Sequence, residues 1–154
     1  MYLEGKSAIV TGAGRGIGRG IAKLLAEQGA SDRVSLACGD AESLPFRADS
    51  VDAVFMSFTL ELFDTPEIPV VLAECRRVLR PGGRIGVVAM QQNDPPGTAL
   101  RMYAWAHTLF PNYVDCRPIF ASQAIKEAGF TVIADGRGAM WGLPVRIVVG
   151  RKAT

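Results

Sequence analysis

Histidine is nearly absent from this chain: its 154 residues contain one, His107. Cysteine is almost as scarce. Cys38, Cys75 and Cys116 are odd in number, far apart and without CxxC spacing, which argues against a disulfide frame or zinc site and for reduced thiols. Cys38 and Cys75, on a predicted strand and on the apolar face of a predicted helix, read as core residues. No apolar run approaches the roughly 20 residues of a membrane span, and Glu4 precedes any apolar stretch, so neither a membrane anchor nor a signal peptide is expected. Basic residues never cluster among aromatics, and a net charge of +2 gives no field for nucleic acid or a membrane surface. The composition therefore predicts a single cytoplasmic domain, residues 1–154, whose partners are small molecules.

What the chain does have is glycine, concentrated where it matters. Residues 7–11 are short and mostly apolar, as a buried parallel strand is, and Gly12, Gly14, Gly16 and Gly18 follow at every second position. Ile17, Ile21, Leu24 and Leu25 then recur at helical spacing, and Gly29 can end that helix. Glycines between a strand and a helix N-terminus let the backbone approach a ligand closely, and the free N–H groups there attract an anion or a nucleoside's acceptors. The alternative is a turn kept only for tight packing of helix on strand. The candidate contacts of this cradle are Gly12, Gly14, Arg15, Gly16, Ile17 and Gly18.

Thr11-Gly12-xxx-Gly16-x-Gly18 resembles the TGxxxGxG turn of short-chain dehydrogenase/reductases, as does the whole opening over residues 5–30. That resemblance implies NAD or NADP with its pyrophosphate on the helix N-terminus. Gly12-x-Gly14-x-Gly16 equally resembles the GxGxG turn of class I S-adenosylmethionine-dependent methyltransferases, where the turn packs against the methionine part and ribose. A strict GxGxxG is absent, since Arg19 stands at its last position.

Further along, residues 33–38 alternate and predict a second strand, ending at Gly39-Asp40. Such a strand lies parallel to the first and beside it, which puts Asp40 at its carboxyl end, facing the glycine turn. The competing reading has Asp40 capping its own turn over residues 41–43. Residues 52–58 are apolar on both faces, as a central parallel strand is. Ile68, Val71, Leu72, Cys75, Val78 and Leu79 form a helical stripe opened near Pro66 and closed before Pro81-Gly82-Gly83. Arg76, Arg77 and Arg80 fall in the last turns, where cations suit the helix dipole, and read as a solvated face. Residues 84–90 predict a fourth strand, 98–110 an aromatic-rich helix carrying His107, and 121–128 a last helix capped near Ser122 and ended by Gly129. Residues 131–135 and 145–149 are the final strands, joined by a connection too short for a crossover helix and hence antiparallel.

From about residue 32 onward the chain resembles a class I methyltransferase of the small-molecule type, through GDAESLPF, SVDAVFMSFTLELF and LAECRRVLRPGGRIGVVAM. The resemblance implies that Asp40 and Ala41 meet the adenine, that Ser57 and Phe58 line the cofactor's methyl end, and that the aromatic stretch borders the acceptor, with His107 as candidate base. Ser57 can equally be a satisfied strand-end hydroxyl, and a lone helical histidine is more often packed or exposed. Two departures stand out. Only residues 30–32 separate Gly29 from the second strand, one strand–helix unit short of the methyltransferase pattern, and Val10 occupies the usual acidic position two before the first glycine. The dehydrogenase pattern fails differently: no Tyr-xxx-Lys follows the cradle, Tyr103 being answered by His107 and Tyr113 by Arg117.

Together these readings predict a three-layer Rossmann-like α/β sandwich. Its sheet has six mostly parallel strands, ordered second, first, third, fourth, last, penultimate, with an antiparallel C-terminal hairpin. A dehydrogenase-like head (residues 1–30) on a methyltransferase-like body (31–154) suggests a recombined or engineered chain. Three functions are compatible with it: an S-adenosylmethionine-dependent methyltransferase-like domain, an NAD-binding module without hydride transfer, and a folded scaffold with neither activity.

Overall fold

Alternating burial along residues 51–57 and a stripe of buried positions along residues 68–78 organise the fold. In the computed structural model, which describes residues 7–12, 16–25, 27, 39–92, 117–140 and 142–154, both become elements of one core. Strand β1 (Ala8–Val10) and helix α1 (Gly16–Leu25) are the first described elements. Strand β2 (Val51–Ser57), a 3-10 turn (Leu60–Leu62), helix α2 (Ile68–Val78) and strand β3 (Leu79–Met90) follow. Helix α3 (Ala121–Glu127) and strands β4 (Thr131–Met140) and β5 (Leu143–Arg151) complete the described elements.

The sheet runs β1-β2-β3-β5-β4, with β1, β2 and β3 parallel and β5 antiparallel to both of its neighbours. This is the expected order for every described strand, while the strand expected at 33–38 lies outside the described residues. The core is the sheet face under α2 and α3. Val54, Met56, Ile85, Val87 and Val148 from the strands meet Val71, Leu72, Cys75, Val78 and Ile125 from the helices, all essentially without exposure. Each such aliphatic side chain contributes about 1.5–3 kcal/mol by leaving water. Pro69 sits in the first turn of α2, where its missing N–H costs nothing. Burial pushes the Cys75 thiol up to about 12, so it stays protonated and inert in the core.

Three expectations change. Helix α2 runs into β3 with no linker, because Pro81-Gly82-Gly83 is absorbed as an irregularity of the strand, between the pairs Val51–Leu79 and Ala53–Arg84. Gly82 takes a left-handed φ of +75°, and a Cβ on Gly83 would stand 2.8 Å from the carbonyl of Arg80. The last hairpin is longer than read, since β4 continues to Met140 and pairs without a break from Ala134 onward. Gly136 and Gly138 look like strand breakers in sequence, but glycine is tolerated on an outer strand. Ser122 does not cap α3; its hydroxyl donates to Asp135 Oδ2 at 2.8 Å instead.

Charged side chains tie the end of the sheet remote from the Gly12 turn, as well as α2. The Ser7 amide donates to Asp52 Oδ2 at 2.8 Å, joining β1 to β2, and Arg80 pairs with the same carboxylate at 3.2 Å. Lys152 Nζ donates to Asp49 and to the Leu79 carbonyl, both at 2.6 Å. Arg77 is exposed as expected but also tethered: held by Glu74, it donates to the carbonyls of Leu44 at 3.2 Å and Phe46 at 2.9 Å, while Glu74 Oε1 accepts the Leu44 amide at 2.8 Å. This clamp lays residues 44–46 along α2. The Ser7 amide above all, then Arg80, holds the Asp52 carboxyl below its ordinary 3.8; Arg77 does the same for Glu74 below 4.5, and Arg146, then Ser122, for Asp135 below 3.8.

A carboxyl with a depressed folded pKa stabilises the fold fully above its unfolded value, and that contribution is lost as pH falls through the folded value. Melting temperature should therefore be level from pH 7 down to about pH 5 and fall below pH 4, on the Asp and Glu scale of ordinary values. Scanning calorimetry across that range, with Asp52→Asn expected to flatten the decline, checks the attribution.

Candidate functional site

The first strand ends at Thr11 and Gly12, and what lies opposite decides whether a pocket can exist there. Strands β1 and β2 are adjacent and parallel, with Val10 in register with Phe55. Their carboxyl ends therefore emerge side by side, at the point in such a sheet where ligands bind. The Thr11 amide donates to the Phe55 carbonyl at 3.0 Å and its hydroxyl to the same carbonyl at 3.2 Å. Thr59 Oγ1, 3.3 Å from the Thr11 hydroxyl, is the alternative acceptor for that hydroxyl's single proton, and Thr59 Oγ1 itself donates to the Ser57 carbonyl at 3.0 Å. A chain of hydroxyls thus stitches the two strand ends together.

Gly12 turns there with φ +66°, a left-handed conformation that a β-branched residue avoids. A Cβ at this position would lie 3.5 Å from Thr59 Oγ1, an ordinary contact, so it is the backbone conformation and not want of space that favours glycine here. Phe58 is also left-handed, at φ +49°, with its amide donating to the Val88 carbonyl at 2.8 Å. A non-glycine residue held there by its surroundings marks strain of roughly 1–3 kcal/mol, a common feature of ligand sites. Ser57 and Phe58 are both half-buried at this edge.

The structure thus brings Gly12, Ser57 and Phe58 together. Gly16, Ile17 and Gly18 are the first residues of α1. Gly14 and Arg15 lie outside the described residues. Asp40 is exposed, and its Oδ1 accepts the Glu42 amide at 3.0 Å within a turn that closes as an Asp40–Ser43 bridge. Of the two readings of Asp40, the turn cap is what the coordinates show. Ala41 is half-buried against the core. Residues 98–110 with His107, and the strand at 33–38 expected to carry Asp40, lie outside the described residues.

Two residues of this edge escaped the sequence reading. Thr59 is one. Glu61 is the other, a fully buried carboxylate in the 3-10 turn after β2. Its Oε1 accepts the Met90 amide at 3.2 Å, and its carbonyl accepts the Arg117 amide at 3.4 Å. Arg117 in turn donates to the Phe63 carbonyl at 2.7 Å and to Asp64 at 2.8 Å. An acidic residue inside the apolar run Leu60-Glu61-Leu62 is the signal that was available. Separately, an apolar groove of about 540 Å³ lies between α2 and α3, lined by Ile68, Leu72, Gln92, Phe120 and Ala124. None of the sequence-predicted site residues lines it. Among the described residues no cluster of histidine, cysteine or carboxylates is arranged to hold a metal, and no helix is long and apolar enough to cross a membrane.

Comparison with known proteins gives this geometry a context. Residues 17–87 match a methyltransferase-domain family. Over 66 residues the chain is 46% identical to the ubiquinone/menaquinone biosynthesis C-methyltransferase of Paracoccus denitrificans, covering 43% of this chain and 26% of that protein. Over 102 residues it is 34% identical to the biotin biosynthesis bifunctional protein of Cellvibrio japonicus, covering 63% of this chain and 19% of that protein. The chain thus spans about a quarter or less of either relative's length. The fold is that of the Burkholderia thailandensis 1,6-didemethyltoxoflavin-N1-methyltransferase, a structure holding 1,6-didemethyltoxoflavin and S-adenosylhomocysteine. The two superpose with a TM-score of 0.68 at 16% identity, over 98% of this chain and 73% of that one. The architecture is accordingly the Rossmann-like α/β fold of methyltransferases. The family match lies on both sides of the join near residue 30, and nothing in these matches supports a dehydrogenase-derived head, NAD or a recombined origin.

Proposed function

We propose that this chain forms a single S-adenosylmethionine-binding domain of the methyltransferase type, acting on a small-molecule acceptor. The observation that carries the reading is the junction of strand ends: Gly12 at positive φ opposite Thr59, with Ser57 and the left-handed Phe58 on the adjoining strand. A side chain at Gly12 would project into this space, so the residues present suit a ligand that needs close backbone approach. In this reading Gly12, Gly14, Arg15, Gly16, Ile17 and Gly18 cradle the methionine and ribose portion. Asp40 and Ala41 lie toward the adenine, and Ser57 and Phe58 toward the reactive end.

S-adenosylmethionine supplies an activated methyl group, so the protein's share of the chemistry is positioning. Aligning donor and acceptor in one crevice supplies much of the barrier reduction in such a transfer. The Thr11–Thr59 hydroxyl pair serves that purpose by holding two strand ends at one separation. The acceptor's identity lies beyond the crevice: the two relatives are named for quinone and for biotin biosynthesis.

Calorimetric titration with S-adenosylmethionine and S-adenosylhomocysteine tests the reading. At a hundredfold excess over Kd a ligand stabilises the fold by about 2.7 kcal/mol, which for a domain of this size raises Tm by roughly 5–10 °C. Absence of both heat and thermal shift at millimolar concentration overturns the assignment.

A further inference from the structure

Strand β4 is the outer strand of the sheet, and among the described residues nothing pairs with its free side. It is ten residues long, contains no proline and is exposed along almost its whole length. An edge of this kind offers a row of backbone donors and acceptors, and proteins usually blunt it with proline, lysine or a bulge. Here the one irregularity falls between Val132 and Ala134, and the strand is regular from there to Met140. Gly136 and Gly138 keep the regular part bare: a Cβ on Gly138 would meet nothing within 4 Å.

The charges on this edge are arranged about its centre. Asp135 and Arg137 flank Gly136 and, two residues apart, stand on one face. Asp135 is held by Arg146, with Nε to Oδ1 at 2.5 Å, and by Ser122. Arg137 is exposed, sits in register opposite Arg146, and is paired with no carboxylate among the described residues. Like charges directly opposite across a sheet repel, so Arg137 is left wanting an anion on its free side.

We infer that β4 pairs antiparallel with β4 of a second copy of this chain, about a two-fold axis through Gly136. In that register each Arg137 faces Asp135 of the other copy and Ala134 faces Gly138. The contact is self-complementary, as a two-fold interface must be, and joins the two sheets into one. A parallel or shifted arrangement loses both charge pairs.

Sedimentation equilibrium and light scattering on the whole chain, with Arg137→Asp, Asp135→Lys and their mixture, test the inference. The wild type is expected to show twice the chain mass. Arg137→Asp sets carboxylate against carboxylate twice, and Asp135→Lys sets cation against cation twice, so each variant alone should dissociate, with the dimer constant weakened at least about tenfold. Mixed together they restore both attractive pairs and should recover the dimer, which also shows that each variant is folded. A monomeric wild type, a dimer indifferent to Arg137→Asp, or a mixture that fails to recover mass would each overturn the proposal.

Discussion

Valine in place of Gly12 is expected to weaken S-adenosylmethionine binding by tens-fold or more while the protein remains folded. Two effects act together. At φ +66° a β-branched residue is strained by roughly 1–3 kcal/mol, so the free turn relaxes to another shape and binding must restore the original one. The added methyl groups then extend beyond a Cβ that already stands 3.5 Å from Thr59 Oγ1, into the space proposed for the ligand. Gly12→Ala separates the two effects, because its single methyl makes only ordinary contact and leaves mainly the strain. Affinity measured by calorimetry should fall in the order glycine, alanine, valine. Valine binding as tightly as the parent would place the ligand elsewhere.

The largest stability effect is expected at Gly150, far from the crevice. This residue of β5 lies beneath α3, where a Cβ would come within 2.8 Å of Ile125 Cγ2, 3.0 Å of Phe130 Cβ and 3.1 Å of Ile85 Cγ2. Three apolar groups converge on a position with no side chain, and Ile85 and Ile125 are themselves fully buried. Valine there must push helix from sheet, because a packed interior has no slack to absorb the volume. Overpacking of this kind costs about 3 kcal/mol at the upper end of its usual range, a fall of roughly 6–12 °C in Tm for a chain of this length. Thermal unfolding followed by circular dichroism checks it. An unchanged Tm would mean that α3 does not rest on β5 as described.

Gly12 and Gly150 differ in how visible they are. Gly12 announces itself, since it follows an apolar strand, precedes a helix and belongs to a run of alternating glycines. Gly150, near the end of a valine-rich strand, carries no local mark of the three side chains pressing on it. The same contrast runs through the charged residues. Arg76, Arg77 and Arg80 look alike in sequence as cations in the last turns of a helix and the residues after it. In the structure Arg77 clamps residues 44 and 46, Arg80 pairs with Asp52, and Arg76 lies over Gly129, 3.4 Å from where a Cβ would be. Asp40 shows the local half of its two readings directly, since its carboxylate accepts the Glu42 amide within its own turn.

By itself the sequence determined the described strand order, the parallel-to-antiparallel change at the C-terminal hairpin and the buried stripe of α2. Those follow from periodicity and from short connections, which act between near neighbours in the chain. Tertiary structure alone decided which polar groups meet. Thr11 reaches Thr59, Ser7 reaches Asp52, Glu61 reaches Met90 and Lys152 reaches Asp49. Each of these contacts joins segments far apart in sequence at a separation near 3 Å. A hydrogen bond is sensitive to tenths of an ångström, and no pattern of residue types along a chain carries distance at that resolution.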